Sequence, residues 1–290
     1  MKLLALVLLL STFSSLTLME VVMDFKNYCS EFFIQIITPT VFKGYQYKQI
    51  CQRLNNLYTF ATLYDMKNRI PVYSAYTFSG GDERDRKGVW KNEPQLENIP
   101  QREMREITND EVDEFFHQAV NRDYKESGKY TKINYTRGHV FPYQYAADQN
   151  QADSTFTFTN IAPQTQHSNG EWANKVETPM KAEIQRVCSQ ENRIFAFIVT
   201  GVVPGNNWIT IRRSAKKKKK YQQGVNIPSF YWTAFCCYIN QTTIISKAYL
   251  AQQNEPNPRP PEITSVNILN RRLSSLYNQD FKVFGDMCLT

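Results

Sequence analysis

Two of the three histidines in this 290-residue chain, His139 and His167, fall in one short stretch with Arg137, Gly138, Asn160, Asn169, Trp172 and Glu177. Histidine takes up a proton near neutral pH, so His139 is a candidate general base for activating water. Arg137, two residues earlier, carries a planar fork of donors that matches a phosphate. Gly138 between them permits a close backbone approach. The amide oxygens of Asn160 and Asn169 are hard ligands of the kind magnesium prefers, and Glu177 adds a carboxylate able to hold water at such an ion. A base, a phosphate clamp and a hard-metal ligand together describe metal-assisted phosphodiester hydrolysis.

Arg137-Gly138-His139, followed by Thr159-Asn160-Ile161-Ala162-Pro163-Gln164, Asn169, Trp172 and Glu177, resembles the DNA/RNA non-specific endonucleases, which belong to the ββα-metal (His-Me finger) nucleases. Residues 69–76 and 226–237 resemble the secreted, endonuclease domain-containing 1-like branch, and the resemblance runs from about Cys29 to Leu250. It implies an α+β fold with a mostly antiparallel central sheet flanked by helices. It also implies His139 as general base and Asn169 as the one protein ligand of Mg2+, with Mn2+ or Ca2+ able to substitute. Glu177 would orient metal-bound water, Arg137 and Asn160 would support the metal site and phosphate, and Lys181 would face the scissile phosphate. Arg86 and Lys87, with Arg84, are candidates for an arginine the family carries just before a tryptophan, here Trp90. Thr136 stands where the family usually has aspartate, and the gap between Asn169 and Trp172 is one residue short.

The implied activity is a secreted, magnesium-dependent, sequence-independent endonuclease acting on DNA or RNA and leaving 5′-phosphates. Thr136 motivates an alternative, a nuclease-fold protein that binds nucleic acid or another polyanion without cutting it. A third reading is a secreted, disulfide-stabilised interaction protein that keeps only the fold. A net charge of +7 favours a polyanionic partner. With 42% hydrophobic and 21% charged residues the chain reads as globular, with enough length for a sizeable core.

The elements that must position these residues follow from patterning. Residues 1–19 have a basic start and a short apolar run, which reads as a signal peptide. Residues 20–251 are expected to form the nuclease domain, and 252–290 a proline-rich segment with a C-terminal helix packed back on it. In an oxidising compartment six cysteines imply disulfides, with 15 possible pairings. The expectation is Cys29 with Cys51, Cys188 with one of Cys236 and Cys237, and Cys288 with the other. Neighbouring cysteines rarely pair with each other, and no spacing suits a zinc knuckle.

Residues 57–64 and 69–78 read as a hairpin, 106–119 as an amphipathic helix bearing His117 on its exposed edge, and 124–135 as a loop. Residues 155–159 read as a strand and 160–168 as a loop with His167 at the site edge. A helix over 169–185, capped by Asn169, would align Asn169, Glu177 and Lys181 on one face. Strands are expected at 194–203, 208–212, 227–239 and 244–250, a lysine-rich loop at 216–220 that would tether phosphate, and a helix over 262–276. Asn134 and Asn240 head glycosylation sequons.

Overall fold

The computed structural model describes residues 20–290 except 82–83, 191–192, 216–217, 241 and 255–258. The expected signal peptide therefore lies outside the described residues, as do Lys216, Lys217 and the centre of the proline-rich segment.

Fourteen strands occur among the described residues. They are β1 (Val21–Val22), β2 (Tyr47–Leu54), β3 (Leu57–Asp65), β4 (Ile70–Phe78), β5 (Tyr135–His139), β6 (Ile161–Thr165) and β7 (Ser189–Gln190). They continue with β8 (Arg193–Ile194), β9 (Ala196–Val203), β10 (Asn207–Ala215), β11 (Lys218–Ile227), β12 (Phe230–Tyr238), β13 (Ile244–Gln252) and β14 (Glu262–Thr264). Eight of them form one sheet in the order β1-β2-β3-β4-β9-β12-β13-β14. Every pairing in it is antiparallel.

The period-2 rule explains why the sheet carries a core on each face. In β9, Ala196, Ile198 and Val202 join one cluster, while Phe197, Val199 and Val203 join the other. In β12, Tyr231, Phe235 and Cys237 face the first, and Trp232, Ala234 and Cys236 the second. The first layer holds the hairpin β5–β6 and the helices after it. The second holds the N-terminal segment, helix Val266–Tyr277 and the C-terminal residues. This is the α+β, mostly antiparallel architecture expected. Three disulfides brace it, Cys29–Cys51, Cys188–Cys237 and Cys236–Cys288.

Several local expectations are corrected. The helix over 106–119 is only a single 3-10 turn, Glu111–Glu114. The Glu97 carboxylate accepts from the backbone N–H groups of Phe116 and His117, and these bonds draw the chain out of helical geometry. His117 pairs with that same carboxylate at 2.9 Å. The loop over 124–135 instead carries helices Asn121–Lys125 and Ser127–Thr131. The strand expected at 155–159 is a 3-10 turn, Phe158–Asn160, and the loop after it is strand β6. Pro163 is tolerated there because β6 pairs on one side only, with β5. Lys218–Lys220 belong to β11 rather than to a loop. Residues 262–264 add an edge strand, and the following helix starts at Val266, where the Ser265 side chain caps Ile268 N–H. Strand β2, with its polar Lys48, Gln49 and Gln52, had no sequence signal.

Candidate active site

Strands β5 and β6 pair with His139 opposite Ile161 and Gly138 opposite Ala162. Gly138 is required here, since a Cβ would sit 2.0 Å from Gln164 Oε1 and 2.7 Å from the Tyr231 hydroxyl. After β6 the chain turns directly into helix Gln166–Trp172. Its cap is Thr165, whose side chain accepts from Ser168 N–H, so Asn169 lies inside the helix and not at the N-cap position expected. A π turn, Ala173–Glu177, follows, and helix Thr178–Val187 continues to Cys188. His167 is an exposed helix residue, not a loop residue.

The π turn corrects the facing argument. In a regular helix the eight residues from Asn169 to Glu177 rotate about 800°, which is about 80° past two full turns. One extra residue in a π turn sets the helix back by about 100°. Glu177 therefore returns to the face of Asn169. Both line one cleft of about 370 Å3 together with Arg86, Arg137, His139, Tyr143 and Gln144.

Within the cleft His139 is half-buried against Phe156 at 4.9 Å and Trp90 at 5.7 Å between ring centroids. Burial, reinforced by the positive charge of Arg86, pushes its pKa down to about 3, and a hydrogen bond to the Arg137 backbone opposes this only in part. The ring is neutral at physiological pH, and Nε2 has no hydrogen-bond partner. Arg137 lies over Trp90 (5.0 Å) and Tyr124 (5.6 Å) and donates to Asn121 Oδ1. Its Nε is buried without a partner. Arg86 lies over the Tyr143 ring at 5.0 Å.

Asn169 Nδ2 donates to Thr136 Oγ1 at 3.3 Å, and that hydroxyl donates to the Gln164 carbonyl at 2.9 Å. This fixes the amide by its nitrogen and leaves its oxygen as the ligand end. Glu177 is buried, which pushes its carboxyl up to about 7, against a 3.0 Å hydrogen bond from Gln144 Nε2. An amide oxygen and a carboxylate on one helix face fit a hard divalent cation.

The other sequence candidates lie elsewhere. Asn160 is wholly buried. Its Oδ1 accepts from Ser74 Oγ and Phe141 N–H, and its Nδ2 donates to the Phe141 and Thr155 carbonyls. With its amide consumed, Asn160 fixes the backbone after His139 and offers nothing to a metal. Lys181 does not line the cleft; its Nζ donates to the Gln144 carbonyl at 2.8 Å. Lys87 is exposed, 3.5 Å from Asp153. Gln144 and Tyr143 carried no sequence signal, because their place in the cleft arises only from the 3-10 turn Tyr143–Tyr145.

A family model described as DNA/RNA non-specific endonuclease matches residues 39–274. Endonuclease domain-containing 1 protein of Homo sapiens is 30% identical over 221 residues, covering 73% of this chain and 39% of that protein. Its Mus musculus counterpart is 29% identical over 217 residues, with the same two coverages, 73% and 39%. The chain thus spans 39% of the length of these curated relatives. A chain from the crystal structure of the EndoG/EndoGI complex is similar at a TM-score of 0.49 and 15% identity, over 78% of this chain and 84% of that one.

Proposed function

This chain belongs to the DNA/RNA non-specific endonuclease family, and from that premise we propose that it is a secreted, magnesium-dependent endonuclease hydrolysing phosphodiester bonds of DNA and RNA. The observation that carries this reading is the convergence of His139, Arg137, Arg86, Asn169 and Glu177 on one cleft. His139, neutral and with a free ring nitrogen, accepts a proton from the attacking water. Arg86 and Arg137, each lying over aromatic rings, bind the phosphate and orient it for in-line attack. Asn169 Oδ1, and Glu177 through water, would hold Mg2+, which when bound neutralises charge on the scissile phosphate and the leaving oxygen. Thr136 holds the Asn169 amide, so the missing aspartate leaves that ligand oriented. Asn160 and Lys181 act at one remove, by fixing Phe141 and Gln144. Contacts made only to phosphate carry no sequence information, as a non-specific enzyme requires.

Residues 20–251 form the nuclease domain in this reading, and 252–290 complete it by adding β14 to the sheet edge and helix Val266–Tyr277 to one face. Secretion is supported by three disulfides, and no helix among the described residues is long and apolar enough to cross a membrane. The test is nicking of supercoiled plasmid with Mg2+, with EDTA and His139→Ala as controls. Nicking abolished by both controls establishes the activity. Retardation of plasmid without nicking, across Mg2+, Mn2+ and Ca2+, would make the protein a binder and overturn the reading.

A further inference from the structure

The net charge of the chain has one source. Residues 212–220 hold seven cations, Arg212, Arg213 and Lys216 through Lys220, which match the whole net charge of +7; elsewhere 27 cations face 27 acids. No aspartate or glutamate occurs from residue 192 to residue 254. Both arginines and Lys218–Lys220 lie on β10 and β11, which form a two-stranded ribbon separate from the main sheet. The register sets Arg213 opposite Lys220, Ser214 opposite Lys219 and Ala215 opposite Lys218. By the two-residue period of a strand, Arg213, Lys218 and Lys220 share one face of the ribbon, and Arg212 and Lys219 share the other. Both faces therefore carry positive charge, and Arg213 opposite Lys220 is a repulsive cross-strand pair. Mixed charges would keep a hairpin soluble without that repulsion, whereas a polyanion offsets it.

The base of the ribbon is fixed beside the catalytic cleft. Ile209, Ile211 and Val225 are buried in the core cluster that also holds Ile161 and Ala162 of β6. Arg69 Nη1 donates to the Gln223 and Gly224 carbonyls at 3.2 and 3.1 Å. Arg122 Nη2 donates to the Arg212 carbonyl at 2.8 Å, and the preceding residue, Asn121, accepts from the Arg137 guanidinium of the cleft. Beyond the buried Ile211, residues 212–215 extend β10 by about 13 Å. The major groove of B-DNA is about 12 Å wide and about 8.5 Å deep and admits a two-stranded β-ribbon. A phosphate strand runs along each of its walls, so a ribbon charged on both faces meets anions on both sides. A single strand offers one such wall, and the major groove of duplex RNA is too narrow to enter.

We propose that β10–β11 is a DNA-binding arm that enters the major groove of a duplex whose backbone lies in the cleft, with Arg213, Lys218, Lys219 and Lys220 serving the phosphates of its two walls. This rests on the nuclease reading of the cleft and adds to it a preference for duplex DNA. The cleft supplies the chemistry, and the arm supplies most of the salt-dependent affinity.

The test is fluorescence-anisotropy binding in EDTA, over a series of salt concentrations, to a DNA duplex, an RNA duplex of the same sequence and a DNA single strand. The combined variant Lys218→Gln, Lys219→Gln and Lys220→Gln is expected to bind the DNA duplex about 100-fold more weakly at about 0.1 M salt. Its slope of log affinity against log salt is expected to be shallower by about 3, one released counterion per lysine. Its losses on the RNA duplex and the single strand are expected to be about tenfold or less. Arginine at the same three positions is expected to retain the affinity and the slope, and thermal melts check that both variants fold. A glutamine variant that binds the DNA duplex as the intact chain does, or that loses as much on the RNA duplex as on the DNA duplex, overturns the proposal. Plasmid nicking by the intact chain tests the catalytic reading separately, since it does not depend on how the variants bind.

Discussion

Replacing Glu177 by glutamine separates what this residue does for catalysis from what it costs the fold. Burial holds its carboxyl at about 7 in the folded chain, against an ordinary 4.5. Below pH 4.5 the group is protonated in both folded and unfolded states, and there is no penalty. As pH rises through this window the unfolded chain ionises first, so stability falls, and above pH 7 the full penalty is present. Each tenfold step in ionisation is worth about 1.4 kcal/mol, so the interval amounts to about 3 kcal/mol. Glu177→Gln removes the charge and keeps an oxygen able to accept from Gln144 Nε2. At pH 8.5 the variant is expected to be more stable by about 3 kcal/mol, or about 6 °C in melting temperature. At pH 4.5 the gain shrinks to about 0.4 kcal/mol. The assay is urea and thermal denaturation in EDTA, with the disulfides intact. The same variant is expected to nick plasmid 10- to 100-fold more slowly, roughly the cost of losing an outer-shell metal contact. Equal gains at both pH values, or no gain at pH 8.5, would refute the account of a carboxylate kept in place at the expense of stability.

Other substitutions read other parts of the site. Asn160→Ala removes four buried hydrogen bonds and is expected to destabilise the protein by about 2–4 kcal/mol in urea titration, with nicking falling further than the folded fraction because the backbone after His139 loses its anchor. Arg86→Ala is expected to raise the KM for plasmid and to move the NMR titration of His139 to higher pH, because the Arg86 charge helps to hold that imidazole neutral. Lys87→Ala, outside the cleft, is expected to leave both unchanged. Thr136→Ala frees the Asn169 amide nitrogen and is expected to raise the Mg2+ concentration for half-maximal nicking about tenfold.

The sequence carried much of the site because its chemistry is local. Arg137, Gly138 and His139 are consecutive, and Asn169 and Glu177 sit on one continuous helical segment. The parts it concealed depend on distant partners. Pro163 hid β6, since a proline argues against a strand unless its missing donor faces outward. The acid-rich run before Phe116 has helical spacing, yet Glu97 captures the backbone that a helix would need. Asn160 and Asn169 have identical side chains, and only the positions of Ser74, Phe141 and Thr155 show that the first is consumed by the scaffold. Lys181 and Lys87 had suitable charge, but the Gln144 carbonyl and Asp153 engage them. The π turn left no mark on residue types, although it is what brings Glu177 round to Asn169.

The two neighbouring cysteines of β12 have a consequence for assembly. Their side chains point to opposite faces, so Cys237 reaches Cys188 at the end of helix Thr178–Val187 while Cys236 reaches Cys288 near the C-terminus. A slip of one residue in the pairing of β12 with β9 or β13 would turn each thiol toward the other's partner layer. The bonded pairs then report the register of the sheet. Cys188–Cys237 together with Cys236–Cys288 marks the native register of β12, and bridges with exchanged partners mark a slipped one.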